Sequence, residues 1–239
     1  MQIIIPKQVE EILAGLRADG YEAFAVGGCV RDTLLGRVPG DWDITTSARP
    51  EQVKKVFGKT IDTGLQHGTV TVMREHVGYE ITTYRIDGEY EDARHPKEVA
   101  FTSDLKEDLR RRDFTINAMA YSHETGIVDI FGGMKDLKEG VVRCVGNAVE
   151  RFTEDALRIL RAIRFSAQLN FTIEDETYAA LTVIAPNLAN VSKERIQAEL
   201  TKTLHVGPSR TYTAGGRDGD EPLYIGGFSL GVWDQHRSG

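Results

Sequence analysis

From Val9 to Leu16 apolar side chains recur at the three- and four-residue spacing of a helix, and Gly20 stands where such a helix would stop. The apolar stretch YEAFAV (21–26) is too short for a helix and reads as a strand. It runs into Gly27 and Gly28 and then CVRDTLLG, the order strand, tight turn, helix. DWDIT (41–45) reads as a second strand, and PEQVKKVF (50–57) as a helix with Pro50 in its first turn, where no backbone N–H is needed. GTVTVMRE (68–75) and YEITTYRI (79–86) read as a hairpin-like pair of strands. The stretch DGEYEDARHPKEV (87–99) is polar and aperiodic, and a mobile loop is expected there.

Beyond Asn147 the pattern changes to helical spacing in AVERF, EDALRILRAIRFSAQL, EDETYAALTVIA and SKERIQAELTKTL, with no strand expected as far as Leu204. A mixed first unit (1–145) is thus expected to precede an all-helical second (146–205). Residues 206–239 are glycine-rich and aperiodic, so poor order is expected.

Composition adds boundaries. At 239 residues, with 41% hydrophobic and 27% charged positions, the chain has an ordinary globular make-up. It has no apolar run of membrane-spanning length, and its start has no basic region leading into an apolar core, so neither a membrane span nor a secretory signal is expected. Cys29 and Cys144 lack metal-ligand spacing and the six histidines form no HExxH or HxH cluster; a reducing, cytoplasmic setting without a zinc site is the expectation. The net charge of −7 speaks against nonspecific nucleic-acid binding over the whole surface. Arginines nonetheless cluster in LRRRDF (109–114) and at Arg151, Arg158, Arg161 and Arg164, two places where a polyanion could be held.

Candidate chemistry begins at Asp41 and Asp43. In a strand, residues two apart face one side, so both carboxylates would aim at one spot and require a proton, an arginine or a divalent cation between them. The alternatives are a turn aspartate after Gly40 and a helix cap. Gly27 and Gly28, before a helix, would let the backbone approach a phosphate, with Arg31 in reach of it. Carboxylates in the next strand suit Mg²⁺ bound to a triphosphate, and two such ions can activate a hydroxyl and steady a pyrophosphate leaving group. Glu80 is a candidate third carboxylate, or an exposed strand residue. In RRRDFTINAMAY, Arg112 would bind phosphate and Asp113 would accept a bond from a ribose hydroxyl; a solvated loop is the alternative.

On a helical wheel, Phe152, Ala156, Ile159, Leu160 and Ile163 fall on one side and Glu154, Asp155, Arg158, Arg161 and Arg164 on the other. A solvated face is one reading. Hydrogen-bond inventory offers another, because ionised Asp only accepts and Arg only donates. Cytosine and adenine each set an amine donor beside a ring-nitrogen acceptor, whereas uracil and guanine set a carbonyl in place of the amine. Asp155 beside Arg158 would then accept C and A and reject U and G, without a nucleic-acid template.

VGGCVRDTLLG with GDWDITTSA, HGTVTV with YEITTYRIDGEYEDARHP, RRRDFTINAMAY and EDALRILRAIRFSAQL, in this order and spacing, resemble the bacterial class II tRNA nucleotidyltransferases, the CCA-adding enzymes, which in turn resemble bacterial poly(A) polymerases. The resemblance implies an α/β (α+β) polymerase-β-like nucleotidyltransferase head with a mixed sheet, followed by an all-α neck. It implies Asp41 and Asp43 as Mg²⁺ ligands, Glu80 as an accessory acid, and Gly28, Arg31 and Arg112 at the nucleotide with Asp113 near the ribose. Asp155 and Arg158 would read the base, Glu154 would orient them, and Arg161 and Arg164 would support the pocket. The implied partners are CTP, ATP and the tRNA 3′ end. TGLQHGTVTV is more similar to the CCA-adding branch, and DGEYEDARHP stands where members adding only CC lack a flexible loop. A poly(A) polymerase, an A-only enzyme and a nucleotide-binding fragment without transfer remain the alternatives. From His205 the chain departs from the family pattern, as a truncated or frame-altered member would.

Overall fold

The computed structural model of the chain describes residues 3–87, 99–204, 224–225 and 228–229. Helix α1 (Lys7–Ala18) leads to β1 (Ala23–Val26), the short α2 (Gly28–Leu34), β2 (Ile44–Thr46) and α3 (Pro50–Val56). There follow β3 (Thr60–Gly64), β4 (Thr69–Arg74), β5 (Val77–Thr83), β6 (Arg85–Asp87), β7 (Val99–Phe101), α4 (Leu105–Arg110), β8 (Met119–Ser122), β9 (Gly126–Asp129) and α5 (Gly133–Glu139). The chain continues through β10 (Val141–Val142), α6 (Ala148–Glu154), α7 (Leu157–Leu169), β11 (Thr172–Ile173), α8 (Asp175–Ile184) and α9 (Lys193–Leu204), with β12 (Tyr224–Ile225) and β13 (Phe228–Ser229) beyond.

Seven strands form one mixed sheet in the order β3-β4-β5-β2-β1-β8-β9. Within it β2 and β5 are parallel and the other neighbours antiparallel. Alternation assigns a task to each face. Ile44, Ile81, Val70 and Val72 are almost fully buried in one core with Val9, Ile12, Leu13 and Leu16 of α1. Burying each such side chain stabilises by about 1.5–3 kcal/mol, and a one-residue slip would turn them all to the wrong side, so this face pins the register. Asp43, Thr45, Glu80 and Thr82 consequently belong to the opposite face. There Phe24, Val26, Tyr84, Ala120 and Leu109 of α4 form a smaller second cluster.

Three expectations change. The helix expected over EDALRILRAIRFSAQL is broken: Asp155 is extended (φ −147°, ψ 101°), with α6 ending before it and α7 beginning after it. The Asp155 Oδ1 accepts the Leu157 N–H at 3.1 Å, a local bond that competes with helix continuation. DWDIT is strand only from Ile44. The helical half is not free of strand, because β11 pairs in parallel with β10; two residues carry no readable alternation. Across the same seam Arg143 donates to Asp136 and, at 2.9 Å, to Glu174.

Of the expected loop, residues 88–98 lie outside the described residues, while its ends Asp87 and Val99 pair across β6 and β7. The tail expected to be poorly ordered also lies outside them, apart from β12 and β13. Among the described residues no helix is long and apolar enough to cross a membrane. Cys29 and Cys144 are buried free thiols, both pushed up to about 12 chiefly by burial, so neither is a thiolate at neutral pH.

Candidate active site

Asp41 and Asp43 lie just ahead of β2, yet Asp43 keeps strand-like pairing, its carbonyl accepting the Val26 N–H at 3.0 Å. In the parallel pair, Ile44 is opposite Ile81. One step back on both strands sets Asp43 beside Glu80 on the face away from the main core. The Asp43 side chain is open to solvent on one side, yet desolvation by the protein packed around it raises its carboxyl above its ordinary value; the Asp41 carboxylate raises it further, Arg112 pulls it down and Glu80 adds a last upward push. All three acids and one arginine thus share a single field. They form no ready-made metal cage, since among the described residues no three His, Cys, Asp or Glu groups are close enough to hold an ion.

A cleft of about 200 Å³ opens at this point, lined by Asp43, Glu80, the hydroxyl residues Thr69 and Thr82, and by Arg85, Arg111 and Arg112 above a floor that includes Val26 and Ile44. Carboxylates and guanidiniums in one opening are the donor set for a cation and a polyphosphate together. Arg111 belongs to the arginine run singled out in the sequence, but Arg85, Thr69 and Thr82 carry no sequence signal of this placement. Their positions come from cross-strand register and from Asp108, which is fully buried. Asp108 accepts from Thr45 Oγ1 at 3.0 Å and from Arg111 Nε and Nη2 at 3.0 and 2.8 Å, and stands 3.6 Å from Arg112 Nη2. Burial alone would raise the Asp108 carboxyl, but Arg111 and Arg112 outweigh it and hold it below its ordinary value.

Gly27 has φ +82°, and a side-chain Cβ there would come within 2.9 Å of Arg112 Nη1. A glycine is needed both for the backbone angle and for the approach of Arg112. The Arg112 Nε is buried without a hydrogen-bond partner among the described residues, and burial lowers the basicity of the group. At Gly28 a Cβ would meet only Arg31 Nη2, at 3.7 Å. Arg31 is itself committed: it donates to Asp32 and, at 2.6 Å, to Asn117 Oδ1, and its guanidinium lies 4.9 Å from the Phe165 ring. Phe165 also receives Arg161 at 5.3 Å and Arg164 at 4.2 Å, making it a common platform for three guanidiniums.

Asp113 Oδ1 accepts from Phe114 N–H at 2.8 Å and Asn117 Nδ2 at 3.2 Å, and Oδ2 from Arg161 Nε and Nη2 at 2.8 and 2.6 Å. Burial would raise this carboxyl, but Arg161 prevails and it falls to about 2. All four acceptor positions are filled, which leaves none for a ribose hydroxyl while these bonds hold.

The polar row on α6 and α7 is not a solvated face, for Arg158 and Arg164 are buried. Arg158 donates to Glu154 at 2.7 Å and to the carbonyls of Arg151 and Arg111, both at 3.1 Å; Glu154 also receives Arg151. Arg164 donates to Glu199 at 2.6 Å and to Gln168 at 2.8 Å. Asp155 is held by Arg195, from α9, through Nη1 at 3.2 Å and Nη2 at 2.8 Å. The wheel's excess of arginine is balanced by acids from elsewhere, Asp113 and Glu199. Arg195 and Glu199 were not expected from sequence; their four-residue spacing on α9 was the available signal.

Residues 23–143 match the family model described as the poly A polymerase head domain, and residues 170–213 match one described as "probable RNA and SrmB- binding site of polymerase A". The CCA-adding enzyme of Leuconostoc mesenteroides is 54% identical over 195 residues, 82% of this chain and 49% of that protein. Among solved structures, the Bacillus stearothermophilus CCA-adding enzyme in complex with CTP is similar with a TM-score of 0.77 and 45% identity, covering 84% of this chain and 49% of that one. The Thermotoga maritima CCA-adding enzyme complexed with tRNA-CCA gives 0.69 and 29%, covering 85% and 51%. The chain spans about half the length of the curated relatives it matches.

Proposed function

The chain belongs to the family of tRNA nucleotidyltransferases and bacterial poly(A) polymerases, and from that premise we propose that it carries the catalytic head and base-reading neck of a cytoplasmic enzyme. The reaction is addition of C, C and A from CTP and ATP to the tRNA 3′ end, with release of pyrophosphate and without a nucleic-acid template. The observation that carries this reading is the meeting of Asp43, Glu80 and Arg112 at one cleft, with Asp41 close enough to act on the Asp43 carboxyl.

Asp41 and Asp43, with Glu80 alongside, offer the hard oxygen donors that Mg²⁺ takes in one or two carboxylates plus water and phosphate, so the donor set fits. Bound there, the cation would supply activation of the terminal ribose hydroxyl and charge neutralisation on the departing pyrophosphate. Arg112, with its unpartnered Nε, binds phosphate, and Gly27 gives it room. Asp155 accepts the exocyclic amine of C or A and Arg158 donates to the adjacent ring nitrogen, with Glu154 fixing Arg158. Asp113 acts through Arg161, joining the head to the helix that carries Arg158. Gly28 lies beside Arg31, and Arg31 and Arg164 support the pocket through the Phe165 platform. Separate head (1–145) and neck (146–205) units, with a distinct tail (206–239), complete the reading.

Asp41→Ala tests it. Transfer of labelled CMP to tRNA should vanish while the thermal unfolding midpoint stays within about 2 °C, since an exposed acid contributes little to packing. Wild-type transfer in that variant would sink the carboxylate site.

A further inference from the structure

We propose that Asn117 is a positioning residue for the phosphates of the nucleotide: its side-chain amide locks the Arg31 guanidinium at the glycine turn. This rests on the reading of Arg31 as a nucleotide contact. Arg31 and Asp113 are chemical opposites, because a guanidinium only donates hydrogen bonds and an ionised carboxylate only accepts them. Asn117 stands between the two and serves each with the matching half of one amide. Its Oδ1 accepts from Arg31 Nη1 at 2.6 Å, and its Nδ2 donates to Asp113 Oδ1 at 3.2 Å. A flipped amide would set its NH₂ against the guanidinium and its oxygen against the carboxylate, so the group has one orientation. An ionised aspartate could not donate, leucine of similar size could do neither, and glutamine would carry the amide one carbon too far.

The backbone beneath holds Asn117 in place. It ends a single 3-10 turn (Thr115–Asn117) in which Ile116, like Phe114 just before it, is fully buried in the main core. The Asn117 N–H closes this turn by donating to the Phe114 carbonyl at 2.9 Å. The Gly27 N–H donates to the Met119 carbonyl at 3.1 Å, and a Cβ on Gly27 would lie 3.7 Å from the Asn117 carbonyl oxygen. The turn and the glycine pair are therefore stapled together, and Arg31 and Arg112 both reach that place.

Arg31 is gripped on three sides. Asp32 takes Nε and Nη2, Asn117 takes Nη1, and the Phe165 ring lies 4.9 Å from the guanidinium carbon. Of the five guanidinium N–H groups, three are used by these bonds, and two are left among the described residues, one on each terminal nitrogen. Nη2 lies 3.7 Å from the place of a Gly28 Cβ, which sets the pair against the glycine turn. Asp32 is partly exposed and rides on the same helix as Arg31, so it can move with it. Asn117 is the hydrogen-bonding anchor from a separate element, 86 residues on in sequence. It touches no phosphate. It fixes the direction of the two remaining N–H groups, so that binding does not have to order a long side chain first.

The test is equilibrium titration of the full chain in Mg²⁺ with CTP and with inorganic tripolyphosphate, which has the phosphates and no base, for wild type, Asn117→Leu, Arg31→Ala and the Arg31→Ala/Asn117→Leu double variant. Asn117→Leu should weaken both ligands about tenfold, the worth of one charged hydrogen bond, and should add no further loss once Arg31 is alanine. Nitrogen-15 signals of the Arg31 guanidinium, identified by their absence in Arg31→Ala, should shift in Asn117→Leu with no ligand present, whereas a residue that only packs would leave them in place. If Asn117→Leu does not fold, Asn117→Ser, which keeps an oxygen on a shorter side chain, is read in the same way. Loss confined to CTP with tripolyphosphate unchanged, or a full further loss on top of Arg31→Ala, refutes the positioning role. If Asn117→Leu binds both ligands as wild type does while Arg31→Ala does not, that role alone fails. If Arg31→Ala itself binds both as wild type does, the reading of Arg31 at the nucleotide fails and the proposal falls with it.

Discussion

Asp113→Asn removes one charge from the joint between the sheet domain and α7 and leaves its shape. In wild type the carboxyl is held at about 2 against an ordinary 3.8, a gap equivalent to about 2 kcal/mol of stability. The sign follows from the direction. A depressed carboxyl stabilises the fold fully above pH about 4, and the contribution is lost as pH falls towards 2. Asparagine can still accept from Phe114 N–H and Asn117 through its one oxygen, but Arg161 then faces an amide. Because Arg161 is 31% exposed and stands 3.8 Å from Glu199, it is not left wholly uncompensated. The cost should fall at or just below the 3–5 kcal/mol typical of broken buried pairs, at about 2–3 kcal/mol. Urea unfolding of both proteins at pH 7, 4 and 3, followed by circular dichroism, measures it. The difference between them should be largest at pH 7 and shrink towards pH 3, while Asp108, Glu174 and Glu199, also depressed, titrate in both and cancel. Equal stability at pH 7, or a gap independent of pH, would refute the reasoning.

Gly27→Ala should destabilise by about 1–3 kcal/mol from backbone strain and push Arg112 away, read as a lower calorimetric midpoint together with weaker CTP binding; an unchanged midpoint counts against the close approach. Glu199→Ala leaves the buried Arg164 guanidinium, among the described residues, with Gln168 as its remaining hydrogen-bonded side chain and should cost about 3–5 kcal/mol in urea unfolding, with a loss under 1 kcal/mol contradicting it. Carbon-13 titration of the Asp43 carboxyl should find it above its ordinary value, falling in Asp41→Asn by more than in Glu80→Gln, because Asp41 is the stronger of the two acidic neighbours; the reverse order would show that the local geometry is wrong.

The elements that announced themselves were those whose packing is local. The helix over Val9–Leu16, the Pro50 helix and the paired strands β4 and β5 follow from a period of 3.6 or 2 against one core. Edge strand β3, mostly exposed, has no buried side to alternate with, and α4 is too short for two full turns. The break at Asp155 was hidden because apolar spacing continues straight through it, while the side-chain bond to Leu157 that competes with the helix leaves no mark on that spacing. The candidate acids and arginines could be named from residue type and order, but their partners could not. Arg195 on Asp155, Glu199 on Arg164 and Phe165 beneath three guanidiniums are contacts made by folding; the four-residue spacing of Arg195 and Glu199 puts the two on one side of α9 but does not name the residues they meet.

The central claim is tested most directly by offering the purified chain, with Mg²⁺, tRNA transcripts ending before CCA, after C and after CC, each with a single labelled nucleotide. The account predicts incorporation from CTP on the first two and from ATP on the third, with UTP and GTP refused. Failure to extend any of the three, or indifference to which nucleotide is supplied, would contradict it.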